Sequence, residues 1–397
     1  MIPILRQTKK TLSKVPRDLQ LFLAATFVFG FSQSIVNTTF NNFLNETFFI
    51  SNLQRGVLEL PRELPGLLTV VVSAILFFLC SRRQAALANV LCAVGILFIG
   101  FYSPTFSVML IWLFIFSIGQ HLFLPLNQSI GMELAVGGQT GRRLGQLNAV
   151  ANVASIIGSL IIFIGFQYLH FNFQISYATA FVGFLAVAVL IFMMQKDRPV
   201  PVKMKFRLRR EYTLYYWLTV LYGTRKQLFL TFAPWVLVTV FNQKTQVLAT
   251  LLTIGGAIGI LFIPVLGKAI DRFGERSIIA TEAIVLIFIC IGYGFSRNIF
   301  SETTALYMVF FCYIIDQMLV AVSMARATYL QKIALVPEDV SQTLTMGVSI
   351  DHIFSISIAL MGGFVWSKWG YQYIFLAGAV IALINFISAL QIKTKRG

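Results

Sequence analysis

Residues 267–276 read Gly-Lys-Ala-Ile-Asp-Arg-Phe-Gly-Glu-Arg and connect two long apolar stretches. Gly267 would let two helices approach closely, and Asp271 can accept hydrogen bonds from the start of a neighbouring helix. Arg272 and Arg276 would then hold the ends of those helices together. The alternative is that these charges only set the topology of a tight turn. In both cases the segment is a short polar connection between two helices.

Apolar stretches fill the rest of the chain. Of its 397 residues, 57% are hydrophobic and only 12% are charged, which is more apolar surface than a soluble domain can bury. Because backbone groups at membrane depth need internal partners, long apolar runs predict helices. Each run below has about 18 residues or more, enough to cross a bilayer. The twelve predicted spans are 19–44, 53–80, 85–102, 106–134, 144–166, 173–195, 212–240, 247–270, 277–296, 304–331, 341–366 and 372–392.

The basic residues lie almost entirely on one side of these spans. Outside the predicted helices, only Lys244, Arg297 and Lys368 fall on the other side. The positive-inside rule therefore predicts a multi-pass protein of the cell membrane (inner or plasma) with both termini in the cytoplasm. The net charge of +16 is spread over these loops, which argues against a nucleic-acid partner.

A basic segment at 196–211 divides the chain. It separates an N-terminal half, 1–195, from a C-terminal half, 212–397, and each half holds six spans. This is the pattern of a duplicated transporter fold. We therefore predict an all-α membrane protein with 12 transmembrane helices in two pseudo-symmetric six-helix bundles, joined by a cytoplasmic linker.

Together with the twelve spans, the segment at 267–276 resembles the Gly-x-x-x-Asp-Arg-x-Gly-x-Arg signature of the major facilitator superfamily. The resemblance covers the whole chain. It implies a secondary transporter that alternates access by rocking two bundles about a central cavity lined by spans one, four, seven and ten. The gate residues that it implies are Gly267, Asp271, Arg272, Gly274 and Arg276.

Two differences from the family pattern bear on the expected gate and on the expected type of transporter. The loop between spans two and three, 80–84, reads Cys-Ser-Arg-Arg-Gln without an acid, although most of the superfamily carries the signature there. The gate of the first half must therefore be held differently. Span five lacks the Gly-Pro-x-x-Gly-Gly element of drug/proton antiporters, and span four has Ile115 where those exporters have an arginine. A multidrug antiporter is disfavoured.

Charged residues inside the spans are costly, about 2.5 to 3.5 kcal/mol each on insertion scales, so they face a polar cavity or a partner. In span two, Arg55, Glu59, Arg62 and Glu63 fall on one helix face. We expect this face to line the translocation path, with Arg62 binding substrate and the two glutamates coupling to protons. The alternative is a structural ion-pair network between helices.

Span seven carries Arg225 and Lys226 near mid-depth. Adjacent residues diverge by about 100°, so one cation should point into the cavity and the other should pair with an acid. An inward guanidinium favours an anionic substrate, because it binds carboxylate or phosphate with two hydrogen bonds. The alternative is mutual neutralisation with Asp316 or Asp351.

Span ten places Asp316 at mid-depth, and a shift of about 196 residues aligns it with Gln120 and His121 of span four. Asp351 and His352 lie in span eleven. Desolvation shifts carboxyl and imidazole pKa values, so these groups could exchange a proton as the cavity changes sides. The alternative is that the buried histidines are only hydrogen-bonded core residues.

A stripe of neutral polar residues in span one completes the predicted site. Gln33, Asn37 and Asn41 recur every four residues, with Thr38 beside them. The predicted substrate-binding residues are Gln33, Asn37, Arg62, Gln120, His121, Arg225 and Lys226. The predicted proton-coupling residues are Glu59, Glu63, Asp316, Asp351 and His352.

Other function classes lack their signatures in the sequence. The three histidines are scattered and form no catalytic pair, so we expect no enzyme. The phosphate-binding loop that an ATP-driven pump needs is absent from the sequence. The four cysteines show no metal-ligand spacing, and neither a metal nor another cofactor is expected. The expected partners are a small-molecule substrate, a proton or other coupling ion, and the lipid bilayer, for a monomer. An exporter of hydrophobic or cationic compounds, or a lipid flippase or scaffold of the same fold, is the alternative.

Overall fold

The computed structural model describes residues 16–76, 78–135, 140–195 and 209–393. These residues form α-helices and two short 3₁₀ turns, which confirms the predicted all-α class. The first half contains α1 (Arg17–Phe48), α2 (Asn52–Val57), α3 (Glu59–Ile75), α4 (Ser81–Phe101), α5 (Phe106–Glu133), α6 (Thr140–Tyr168) and α7 (Phe173–Phe192). The second half contains α8 (Thr213–Thr239), α9 (Thr245–Ile299), α10 (Glu302–Leu319), α11 (Ser323–Ile333), α12 (Pro337–Trp369) and α13 (Tyr371–Ala389). Most of the predicted linker lies outside the described residues.

All twelve predicted spans coincide with helical segments. Within the described part of the chain, nine helical stretches are long and apolar enough to cross a membrane. The longest of them, α9, covers two predicted spans. Three helices are not among the nine: α2 and α3 have only 6 and 17 residues, and α8 carries the charged pair of span seven. The twelve-span prediction is consistent with this arrangement.

The second span is broken between α2 and α3 at Leu58. Pro61 has no backbone N–H and cannot donate to the carbonyl four residues earlier, that of Val57. It therefore lies in the first turn of α3, where a missing donor is tolerated, and α2 ends at Val57. The break lies beside Arg55 and Glu59, so it helps to position the charged face of this span.

The helix α9 changes direction at Gly274, inside the segment that the sequence singles out. Gly274 has φ of 78°, a left-handed conformation that favours glycine. The second glycine of the signature is thus required for the local backbone conformation. It turns the chain between the eighth and ninth spans on the basic side of the protein, by which we mean the side that carries most of the Lys and Arg.

Packing groups the helices into two bundles. In the first, α4 packs on α5 and α7, and α1 packs on α6 and α7; in the second, α9 packs on α10 and α13, and α8 packs on α12 and α13. Between the bundles, α6 contacts α9, and α2 and α3 contact α12. The exact domain boundaries stay a prediction.

The bundles are closed together on the far side, opposite the basic side. Trp235 donates from Nε1 to Asn52 Oδ1 across the bundles at 2.8 Å. At Gly56, a Cβ atom would lie 2.4 Å from the carbonyl oxygen of Ala359, so only glycine allows α2 to pack this closely on α12. On the basic side, by contrast, the ion pairs of Arg82 and Lys332 join helices of the same bundle.

Candidate functional site

A central cavity of about 150 Å³ lies between the two bundles. Its walls come from spans one, two, three, four, seven, eight and ten, which include the four spans expected from the family resemblance. The apolar part of the lining includes Phe40, Phe116 and Pro234. The polar lining residues are Gln33, Asn37, Asn41, Arg62, Gln120, Tyr313 and Gln317.

The polar stripe of span one faces this cavity. Gln33 donates from Nε2 to Asn37 Oδ1 at 3.1 Å, which orders the two amides on one helix face. Asn41 also accepts a hydrogen bond from Arg55 Nε at 3.2 Å. Thr38 differs, because it is buried and donates to the carbonyl of Ser34 in its own helix. Three of the four stripe residues thus supply amide groups to the cavity.

Arg62 is the single charged residue among the described lining residues of the cavity. Its Nη1 lies 3.3 Å from Glu59 Oε1, and Arg55 Nη1 lies 2.6 Å from the same oxygen. The other carboxylate oxygen of Glu59 accepts from Gln227 of the second bundle at 3.0 Å. One carboxylate therefore serves two guanidinium groups, and Arg62, with 26% of its side chain exposed, carries the less completely paired charge.

Glu59 itself does not face the cavity. It is fully buried, with three donors on its two oxygens. The expectation that the whole charged face of span two lines the path is therefore wrong for Arg55 and Glu59 in this conformation. No residue of α2 is among the described lining residues of the cavity. The structural ion-pair alternative therefore describes Arg55 and Glu59, and the cavity-lining expectation describes Arg62.

Glu63 contacts two histidines that come from distant parts of the chain. Its Oε2 lies 2.8 Å from His352 Nδ1 of α12 and 4.0 Å from His121 Nε2 of α5. The two imidazole rings lie 5.1 Å apart between centroids. His121 Nδ1 also lies 2.9 Å from the carbonyl oxygen of Ser117. His121 was predicted to bind substrate, but it is not a lining residue of the cavity.

The two cations of span seven are both neutralised within the second bundle. Arg225 Nη2 lies 2.7 Å from Asp316 Oδ1, and both residues are buried. Lys226 Nζ lies 2.5 Å from Asp351 Oδ2. The expectation that one of these cations points into the cavity is therefore wrong for this conformation. The physical reason is that α10 and α12 each present an acid at the same depth, so each cation finds its own counter-charge.

A further buried pair was missed by the sequence reasoning. Arg326 Nη2 lies 2.6 Å from Glu282 Oε2, and the Arg326 guanidinium stacks 4.3 Å from the centre of the Tyr222 ring. Glu282 lies within the ninth apolar span, and its isolated charge was the available signal. With this pair, each of Arg225, Lys226 and Arg326 in the second bundle has an acidic partner.

The five predicted gate residues lie around the bend in the middle of α9, on the basic side of the protein. Asp271, Arg272 and Arg276 are exposed, and none of them forms an ion pair with another described residue. A Cβ built on Gly267 would meet no atom within 4 Å. The expected close helix approach and the expected hydrogen bonds to Asp271 are therefore absent from this conformation. Their neighbour Glu275 is buried instead and pairs with Lys332 at 2.8 Å.

The first half holds its basic side together through Arg82. This arginine contacts Asp18 Oδ2 at 3.0 Å and Glu133 Oε1 at 2.8 Å, and it also donates to the carbonyl oxygen of Gln195. These partners lie at the ends of α1, α5 and α7. The acid that the loop at 80–84 lacks is thus provided by other helices, which agrees with the expectation that the first half is held differently.

Two helical bundles that enclose a polar cavity and are joined on one side define a membrane transporter. The Major Facilitator Superfamily family model matches residues 21–345, and the chain belongs to that superfamily. No curated protein matches the chain in sequence.

Several solved transporters share the fold. The chain is similar to the nucleoside transporter NupG, with a TM-score of 0.74, 14% identity, and coverage of 95% of this chain and 100% of that one. It is similar to a D-xylose-proton symporter, with a TM-score of 0.70, 15% identity, and coverage of 96% and 99%. It is also similar to a peptide transporter, POT, in complex with sulfate, with a TM-score of 0.73, 12% identity, and coverage of 95% of both chains. At these identities the likeness shows the fold alone.

Proposed function

We propose that this protein is a secondary active transporter that moves a small organic anion by alternating access, coupled to a proton. The anionic substrate is inferred from Arg62, the charged residue of the described cavity lining. Five amide side chains share the cavity with it, at Gln33, Asn37, Asn41, Gln120 and Gln317. Amides bind polar groups of either kind, so the arginine decides the sign of the charge that the cavity favours.

The pairing of Arg62 leaves room for a second acceptor. Its described ion-pair contact is a single one at 3.3 Å, and Glu59 is shared with Arg55 at a shorter distance. A guanidinium offers five N–H donors in a fixed fork that fits a carboxylate or a phosphate. An anion in the cavity would satisfy donors that Glu59 leaves free, and the apolar walls at Phe40 and Phe116 would exclude water from the contact.

Asp316 is the residue to which we assign proton coupling. It lies on α10 between Tyr313 and Gln317, which both line the cavity, and its carboxylate is buried against Arg225. Glu282, paired with Arg326, adds a negative charge nearby. Protonation of Asp316 would leave Arg225 buried without its counter-charge, a loss of about 3 to 5 kcal/mol. A second conformation that gives Arg225 another partner would then be favoured, which links the proton to the conformational equilibrium.

The basic side carries the proposed gate. With that side in the cytoplasm, as the distribution of Lys and Arg predicts, the present conformation is closed to the outside and faces inward. Asp271, Arg272 and Arg276 are then the groups that would pair across the bundles when the basic side closes. Their exposure in the present conformation fits a contact that forms only in the other state.

The substrate class can be tested with the purified protein. Small carboxylates and phosphates, neutral sugars and nucleosides, and organic cations would be added singly, and the melting temperature recorded. Because a ligand that binds only the folded state raises its apparent stability, anions should raise the melting temperature and the other classes should not. Stabilisation by cations or lipophilic compounds alone would contradict the anion proposal.

Coupling requires a second measurement, in proteoliposomes loaded with the stabilising anion. An imposed pH gradient should drive accumulation by the wild-type protein. Asp316→Asn should still exchange anion across the membrane but should no longer accumulate it, while Arg297→Gln, an exposed arginine on the far side, should behave as wild type. Accumulation by the wild type that ignores the pH gradient would contradict proton coupling.

A further inference from the structure

We propose that Glu63, His121 and His352 form a binding site for a divalent transition-metal ion such as Zn²⁺. Each residue offers one ligand atom, and these atoms lie within 4.8 Å of one another. The three residues come from α3, α5 and α12, which explains why no spacing in the sequence reveals the site. The site joins the two bundles, because α3 and α5 belong to the first and α12 to the second.

The distances suit a metal after small side-chain rotations. Zn²⁺ binds imidazole nitrogen and carboxylate oxygen at about 2.0 to 2.2 Å, which places tetrahedral ligand atoms about 3.4 Å apart. Glu63 Oε2 lies 2.8 Å from His352 Nδ1 and 4.0 Å from His121 Nε2. One distance is below the ideal value and the other above it, so a shift of the carboxylate by about half an ångström would equalise them. The two imidazole nitrogens lie within 4.8 Å of each other, and rotation of the rings would bring them to ligand spacing.

The histidine of α5 is oriented as a metal ligand requires. Its Nδ1 lies 2.9 Å from the carbonyl oxygen of Ser117, which can only accept a hydrogen bond, so Nδ1 carries the proton. The lone pair of Nε2 is therefore free and points to the Glu63 side. A ligating histidine that donates its other N–H to a backbone carbonyl is the usual outer-shell arrangement of metal sites.

Gly66 makes room for both imidazole rings. A Cβ atom at this position would lie 2.6 Å from Cε1 of His352 and 2.8 Å from Cδ2 of His121. Any larger residue would push at least one ring away from Glu63. The helix α3 is thus shaped so that two rings from different bundles can meet one carboxylate.

The surrounding charges permit a cation. The Glu63 carboxylate offsets one charge of a bound cation. Of the two positive side chains nearby, Lys226 is paired with Asp351 at 2.5 Å, and Arg62 shares Glu59 with Arg55. The three ligand side chains are between 12% and 14% exposed, so water can reach the site and supply a fourth ligand. Two neutral imidazoles and one carboxylate are a donor set that Zn²⁺ and similar ions favour.

A bound metal would hold the bundles in the present conformation. Its ligands come from both bundles, so the far side could open only after one ligand had left the metal. The proposal therefore predicts that Zn²⁺ stabilises the protein and slows its transport cycle without occupying the cavity beside Arg62. This effect is separate from the anion and proton assignments.

The test uses isothermal titration of the metal-free full chain with Zn²⁺, and Co²⁺ absorption as a probe of coordination. We expect one high-affinity site per chain, a tetrahedral Co²⁺ spectrum and a raised melting temperature. His352→Gln and His121→Gln should each lower the affinity at least 100-fold. The glutamine at position 352 can still donate to Glu63, so that variant should keep its fold, which the melting temperature without metal checks.

His170→Gln is the matched control, because this histidine is exposed in a far-side loop away from the cluster. It should bind Zn²⁺ as the wild type does. The proposal is overturned if the wild type binds no more Zn²⁺ than His352→Gln does. It is equally overturned if only His170→Gln loses binding, since the metal would then be held at the surface.

Discussion

The two bundles carry similar charged residues inside the membrane but pair them differently. In the second bundle, Arg225 and Arg326 each have a buried acid of their own, at 2.7 and 2.6 Å. In the first, Arg55 and Arg62 share Glu59, and Arg62 also faces the cavity. In our proposal, the first bundle provides the charge that binds the anion, while the second bundle contains closed ion pairs.

The same contrast appears on the basic side. The centre of the first-bundle cluster is a cation, Arg82, with acids around it. The centre of the second-bundle cluster is an acid, Glu275, which pairs with Lys332. The basic-side ion pairs of the two halves thus have central charges of opposite sign.

The largest loss of stability should come from removing one member of a buried ion pair. Arg326→Met leaves Glu282 buried without a counter-charge, which should destabilise the protein by about 3 to 5 kcal/mol. The double variant Arg326→Met with Glu282→Leu should recover most of that loss, because neither charge remains. Thermal unfolding of the three proteins measures this. Equal stability of the single variant and the wild type would break the comparison, since the second-bundle pairs would then contribute nothing.

Replacing Arg62 in the cavity should affect anion binding and not stability. Arg62→Gln should keep its stability, because Glu59 still accepts from Arg55 and Gln227. It should lose about 1.5 to 3 kcal/mol of anion binding, or roughly 10- to 150-fold in affinity, the value of a hydrogen bond to a charged group. Titration with the stabilising anion gives the affinity, with Arg297→Gln as control. Unchanged affinity in Arg62→Gln would remove this arginine from the binding site.

The contact between the bundles can be weakened at Gly56. Gly56→Ala would place a Cβ atom 2.4 Å from the carbonyl oxygen of Ala359. Overpacking of this kind costs about 1 to 3 kcal/mol, and here the cost falls on the state that is closed on the far side. Spin-label distances across the far side should therefore show a larger open population. A distance distribution identical to that of the wild type would show that this contact does not control closure.

The smallest effect is expected at Gly267. A Cβ there meets no atom within 4 Å, so Gly267→Ala should change the stability of the present conformation by no more than about 0.5 kcal/mol. If α9 approaches the first bundle when the basic side closes, the same variant should reduce transport. Thermal unfolding and uptake separate the two effects. A large loss of stability would mean that Gly267 is already packed.

The fold could be predicted because hydrophobicity acts over whole helices. Twelve apolar runs and a basic divider specify helices, topology and bundle number without any knowledge of side-chain contacts. The polar stripe of Gln33, Asn37 and Asn41 was equally accessible, since helical periodicity places all three on one face, and that face meets the cavity.

The partners of the charged side chains could not be predicted, because they depend on how each helix is rotated in its bundle. Arg225 and Lys226 are neighbours in sequence, yet each found its own acid on a different helix. Glu63 and His352 are 289 residues apart and meet only because α3 packs on α12. The contact expected for the gate residues is absent from this conformation, and a sequence does not say in which conformation a contact forms.

The most direct test is a cryo-electron microscopy structure of the protein with its stabilising anion bound. Our account predicts ligand density within hydrogen-bond distance of the Arg62 guanidinium, while Arg225 remains paired with Asp316 in the inward-facing state. Density beside Arg225 or Lys226, with the cavity at Arg62 empty, would contradict it.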